Sequence, residues 1–242
     1  MSKTSRNIPE ISNVSTNNDI MTFKMSNVNV SFVNALRRTI LSDIPTAVFE
    51  TIPYENNKCT ITENTSRLNN EILKQRLSCI PIHIKDLDIL ENLEVIVEKE
   101  NTSDSIMYVT SGDFQVKDTS TDKFLSSGEV SKIFPSDKKT RDHILFARLR
   151  PKIAKTLPGE KISLSCKITS ATASQNGAFN VVSTCSYSFG DDVKKQNIEW
   201  EKYSKTLDEE SKVNIELKKK NWFSHQAKRF YKADTFDFII ET

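Results

Sequence analysis

The sequence predicts an α+β fold, and three observations carry the prediction. One helix is written between Asn29 and Pro45, where Phe32, Val33, Leu36, Ile40, Leu41 and Ile44 recur at helical spacing. The middle of the chain is strand-rich. Leu93, Val95 and Val97 alternate with polar residues, as do Ile162, Leu164, Cys166 and Ile168, and then Phe179, Val181, Ser183, Cys185 and Tyr187. After a charged helical stretch from Asp191 to Lys220, a last alternation of Phe236, Phe238 and Ile240 returns the chain to sheet.

Taken in order, Met1 to Asn18 is rich in Ser, Asn and Thr and is expected to be a mobile tail. Met21, Phe23 and Met25 then alternate as a half-buried strand. Asn29 or Ser31 can cap the helix that follows, because a short side-chain oxygen there accepts an orphan backbone N–H. Pro45 ends it, since the residue before proline is pushed out of the helical region. Placed at about 100° per residue, Asn34, Arg38 and Ser42 fall on a polar side, while Arg37 projects among Val33, Leu41 and Ile44. A guanidinium there either snorkels to water along its stem or requires an acceptor.

After Pro45, TAVFETI reads as a strand and Cys59 to Thr62 as a short strand or turn arm. Asn69 caps a second helix with Glu71 in its first turn, favourable to the helix dipole. Leu68, Ile72 and Leu77 give this helix an apolar edge, and Pro81 ends it. The stretch SDSIMYVTSGDFQVKDTSTDKFLSSGEV is polar and reads as hairpins and loops. In the charged stretch, Trp200, Tyr203 and Leu207 mark an anchoring edge.

Composition excludes several classes of function. Lys and Arg number 34 against 32 for Asp and Glu, so no overall charge field demands nucleic acid. Five glycines leave no glycine-rich phosphate loop. Cys59, Cys79, Cys166 and Cys185 are too scattered for a zinc site or a disulfide framework; Cys166 and Cys185 read as small core residues. Asp86 and Asp88 have no third acid at matching spacing and read as a loop face. His83, His143 and His225 lie far apart without a nucleophile partner. No metal or other cofactor is expected. No apolar run reaches the ~20 residues of a membrane helix, and no signal core is visible, so an intracellular chain is expected. The arm KKKNWFSHQAKRFYK interleaves basic and aromatic residues, which suits either nucleic-acid stacking or a protein-docking helix edge.

NALRRTILSDIPT followed by NTSRLNNEILKQRLSCIPI resembles the paired motifs of the assembly-platform subunits of DNA-directed RNA polymerases. That family comprises the bacterial alpha subunit, the eukaryotic third-largest subunit and the archaeal counterpart of both. FNVVSTCSYSF and KNWFSHQAKRFYKADTFDFIIET resemble the versions carried by large DNA viruses of eukaryotes. The resemblance implies an alpha-like dimerisation domain built from both chain ends (19–62 and 191–242), interrupted by a β-rich inserted domain at 63–190. It implies a non-catalytic subunit that nucleates the large catalytic subunits, whose own metals do the chemistry. Its expected partners are a smaller alpha-like subunit or fused domain, forming a heterodimer, and the second-largest and largest subunits; DNA is met only through the complex.

Asn34, Arg37, Arg38, Glu71 and Arg76 are then expected at the large-subunit junction. Phe32, Leu36 and Ile40, with Phe236, Phe238 and Ile240, are expected at the dimerisation surface. In the family a stretch like TFDFIIET continues into a final helix, which is expected here on a longer chain or on another polypeptide. A virion or host-cytoplasm location follows if the chain is viral, with the nucleus as the alternative.

Overall fold

The computed structural model describes residues 8–152, 154, 158–207 and 214–242. They form two compact units, one from the segment ending at Asp43 together with Val181–Thr242, the other from Ile44–Asn180. The first unit holds strand β1 (Glu10–Asn17), β2 (Ile20–Ser26) and helix α1 (Val30–Ser42). The second holds β3 (Thr46–Val48), β4 (Cys59–Asn64), α2 (Asn70–Ser78), β5 (Leu93–Glu100), β6 (Met107–Thr110), β7 (Gln115–Asp118) and β8 (Lys123–Phe124). It continues with α3 (Ser127–Ile133), β9 (Leu145–Leu149), β10 (Lys161–Lys167) and β11 (Thr169–Ala171). The chain then returns to the first unit with β12 (Thr184–Asp191), α4 (Val193–Lys205), α5 (Ile215–His225) and β13 (Tyr231–Glu241).

The boundaries differ from those expected at 62/63 and 190/191. β3 pairs with β11 and β4 with β10, so residues 46–64 belong to the second unit. β12 pairs along its length with β13 and belongs to the first. The alternation from Phe179 to Tyr187 therefore straddles a boundary. Phe179 sits in a one-turn helix and packs with Val48 and Ala171, and the strand itself starts only at Thr184.

In the first unit an antiparallel sheet in the order β1-β2-β13-β12 carries α1 on one face. Residues 10–17, expected in a mobile tail, are a paired edge strand; residues 1–7 lie outside the described residues. The turn into β2 is Asn18-Asp19, with φ of 49° and 65°. Two consecutive positive φ values match the right-handed strand twist, and Asn and Asp tolerate them best after glycine. A register shift between Ser12 and Ser15, with Asn13 at φ 53°, breaks the alternation that would have marked the strand. Asn18→Val should cost about 1–2 kcal/mol, because a β-branched side chain is crowded in that conformation. Faster amide exchange in β1 would register the loss, and unchanged protection would refute it.

Sheet and helix meet through large side chains. Val33, Phe236 and Phe238 are fully buried with Met25 and Val28, and Leu36 packs against them. Ile40 and Leu41 close over Cys185 and Ile240. Phe23 and Phe238, cross-strand partners, stack with centroids 4.7 Å apart. On the opposite face their neighbours Lys24 and Asp237 pair at 3.2 Å, which marks that side as the solvated one.

In the second unit a five-stranded sheet runs β4-β10-β5-β7-β8, accompanied by the pairs β3·β11 and β6·β9. The expected alternations on β5 and β10 hold: Val95, Val97, Ile162, Leu164 and Cys166 are all buried in one core. Within the polar stretch read as hairpins and loops, α3 is a true helix. At seven residues it is too short for periodicity to show, but Ser126 and Glu129 cap it reciprocally.

Candidate interaction surfaces

Helix α1 begins where Asn29 Oδ1 accepts the Ser31 N–H at 2.8 Å and ends at Asp43, whose N–H donates to Thr39 O. It spends one stripe on the sheet. The opposite surface stays free, with Phe32 (56% exposed), Ala35, Arg38 and Thr39 in solvent. The structure thus separates the expected dimerisation residues. Leu36 and Ile40 face inward, and Phe32 faces outward because a helix lying on a sheet buries only a stripe about 100° wide. Phe236, Phe238 and Ile240, expected to present an open apolar face, are 0%, 1% and 9% exposed beneath α1. Within this chain their side chains pack against α1 and its neighbours.

Arg37 is half-buried, and its acceptor is local: Nε and an Nη donate to Asn34 Oδ1 at 3.1 and 3.0 Å. Asn34 therefore does not stand opposite Arg37, since residues three apart are neighbours on a helix. The guanidinium also lies near Cys185, where it opposes the burial that pushes that thiol up. Among the described residues no carboxylate pairs with this charge. Arg38 is exposed, and its carbonyl accepts the Ser42 hydroxyl at 2.8 Å.

Helix α2 is capped by Asn69, whose Oδ1 accepts the Ile72 N–H at 2.9 Å. Leu73 and Leu77 fill the core while Ile72 is exposed, so the apolar edge runs through Leu73 where Ile72 was expected. Glu71 is exposed in the first turn. Arg76 is engaged within its own unit: Nε donates to Phe146 O at 2.6 Å and an Nη to Leu145 O at 2.7 Å. Those carbonyls sit where the β6–β9 register shifts, a place where a ladder is locally disrupted. Nothing in the sequence near Arg76 announced an acceptor 70 residues away.

The connection between β12 and β13 carries α4 and α5. Trp200, Trp222 and Ala227 are buried together, with Phe223 and Phe230 packed against them. Gln196, also buried, places Nε2 3.1 Å from Asp191 Oδ1, Ala227 O and Phe230 O. Asp191 in turn pairs with Lys228 at 3.0 Å. The two tryptophans are buried inside the hairpin, whereas Lys219, Lys220 and Arg229 lie exposed on its surface. The helical edge expected through Leu207 stops short, because α4 ends at Lys205.

Asp86 Oδ1 accepts the Asp88 N–H at 3.1 Å, a turn contact. A cavity of about 540 Å³ in the second unit is lined by Lys99, Asp113, Phe134 and His143 among others, with Lys99 and Asp113 paired at 2.8 Å. Among the described residues no group of three or more His, Cys, Asp or Glu is placed to hold a metal ion.

The profile of the RNA polymerase Rpb3/Rpb11 dimerisation domain matches residues 22–242. The chain is similar to the DNA-directed RNA polymerase subunit Rpo3 of Pyrococcus horikoshii, 36% identical over 106 residues that cover 41% of this chain and 38% of that one. It is also similar to the human DNA-directed RNA polymerases I and III subunit RPAC1, 26% identical over 186 residues, 68% of this chain and 49% of the relative. A third likeness is to the Dictyostelium discoideum RNA polymerase II subunit rpb3, 31% identical over 80 residues, 33% of this chain and 24% of that protein. The chain thus spans half or less of the length of these curated relatives.

Proposed function

The chain belongs to the Rpb3/Rpb11 dimerisation-domain family of RNA polymerase subunits, and on that footing we propose that it is the non-catalytic assembly platform of a multisubunit DNA-dependent RNA polymerase. It pairs through the first unit with a smaller alpha-like subunit or domain and then recruits the second-largest and largest subunits, in transcription. The observation that carries this reading is α1. Its inner stripe is used up in holding the sheet, while its outer surface presents Phe32 and Arg38 unused. An exposed aromatic beside an arginine is the composition from which interface hot spots are built.

In this reading Asn34 and Arg37 form a preassembled donor surface whose positive charge awaits an acidic or carbonyl partner on a large subunit, with Arg38 beside it. Glu71 contributes from α2 as a surface contact, and Arg76 acts by keeping α2 in place. The likeness of FNVVSTCSYSF and KNWFSHQAKRFYKADTFDFIIET to viral versions supports a viral polymerase, working in the virion, the host cytoplasm or the nucleus.

The test is co-purification. With alpha-like and second-largest subunits co-expressed, the double variant Arg37→Ala, Arg38→Ala should remain folded and bind at least tenfold more weakly, in line with about 2–5 kcal/mol for truncating a buried charge-assisted contact. Wild-type recovery of the large subunit by that variant would reject the assigned surface.

A further inference from the structure

Two of the four cysteines meet. Cys59 on β4 and Cys166 on β10 are direct cross-strand partners, both buried and both free thiols. The ladder bond beside them runs from Lys167 N–H to Lys58 O at 3.3 Å. Bonded and non-bonded pairs alternate along an antiparallel ladder, so Cys59–Cys166 is a non-bonded pair, the kind with the shorter Cα separation of about 4.5 Å. Asn57 agrees with this assignment. Its Oδ1 accepts the Cys59 N–H at 3.0 Å and its Nδ2 donates to Cys59 O at 2.9 Å, so both backbone groups of Cys59 point away from β10. Such a separation lies within the span a disulfide accepts, roughly 4.4–6.8 Å between Cα atoms.

We propose that Cys59 and Cys166 are a redox-responsive dithiol, reduced in this structure, which a peroxide closes into a disulfide that staples edge strand β4 to β10. Cys59 is the attacking thiol. It lies on the outer strand of its sheet, where local opening needs the least disruption, and burial to 2% exposure restricts attack to an oxidant as small as hydrogen peroxide. Hydrogen bonding with the Cys166 thiol holds the Cys59 thiol below its usual range against the effect of burial, with Lys74 adding to it. The same pairing and burial push Cys166 up. Its Sγ rests 3.5 Å from Lys167 O.

The step balances. The Cys59 thiolate attacks one peroxide oxygen, the O–O bond breaks, and the departing hydroxide takes the proton lost by Cys59 to leave as water. The Cys166 sulfur then attacks the resulting sulfenic sulfur; the S–O bond breaks, and hydroxide takes the Cys166 proton as a second water. Two thiols are oxidised by two electrons and one peroxide is reduced. Cys79 is exposed and forms no part of the pair, while Cys185 belongs to the other unit.

The experiment uses the full chain with Cys79→Ser, which removes the exposed competitor. After native hydrogen peroxide treatment and alkylation, peptide mapping without reductant should show one link joining the Cys59 and Cys166 peptides, with loss of two hydrogens. The melting temperature of the second unit should rise on the order of 10 °C and fall back with dithiothreitol, since the closed loop is long. Both thiols staying alkylatable, oxidation of Cys59 to sulfinic acid without a link, or a link that forms only in urea would each overturn the proposal. Cys166→Val should abolish the link; the mapping of the parent chain stands whether or not that variant folds.

Discussion

Phe238→Ala should remove about 3–5 kcal/mol from the stability of the first unit, the range for deleting a buried aromatic ring. Phe238 is 1% exposed, stacks on Phe23 at 4.7 Å and meets Tyr187 at 5.7 Å. Val33 and Leu36 of α1 cover the same cluster. Strands on both sides hold the backbone in register, so the site collapses poorly and most of the cavity remains. Because domains of this kind have only about 5–15 kcal/mol in total, such a loss brings the unit near unfolding. Urea denaturation followed by near-ultraviolet dichroism reads it directly. Phe32→Ala is the matched control on the outer face of α1, expected to change stability by less than about 0.5 kcal/mol. A small effect at Phe238, or a large one at Phe32, would mean the helix does not lie on the sheet as described.

Arg76→Ala should destabilise the second unit by about 2–4 kcal/mol. The guanidinium makes two short hydrogen bonds to Phe146 O and Leu145 O, and bonds from a charged donor contribute about 1.5–3 kcal/mol each before water recovers part of the loss. The carbonyls lie at a register shift of the β6–β9 pair, where a ladder is locally disrupted. Arg76→Lys should rescue little, since an ammonium cannot reach both oxygens with fixed fork geometry. The thermal transition of the second unit decides between a structural and a surface role. Unchanged melting with weakened recovery of the large subunits would return Arg76 to the interface.

The parts of the fold legible in the sequence are those specified by neighbours. Asn69 announced the start of α2, and the choice of Asn29 or Ser31, which the structure resolves to Asn29, that of α1, because a cap acts within three residues; Pro45 announced an end because its ring excludes the preceding residue from the helix. β5 and β10 were legible because both bury a full face, which enforces an apolar residue at every second position. β1 was not, because the bulge around Asn13 shifts the phase midway and most of its side chains face solvent. The paired motifs pointed to the polymerase-subunit family, which the match over residues 22–242 then showed.

The sequence by itself determined α1 and α2, the buried strands β5 and β10, and the family resemblance. The tertiary structure alone decided which polar and reactive groups meet: Arg76 with the carbonyls of β9, Gln196 with Ala227 and Phe230, Cys59 with Cys166. It also decided that Phe236 and Phe238 are spent beneath α1 while Phe32 is left outside. The reason is one of range. Caps and alternations are satisfied within a few residues of chain, but the partner of a distant side chain depends on registers set by whole sheets, and a shift of one residue turns every side chain of a strand to the other face.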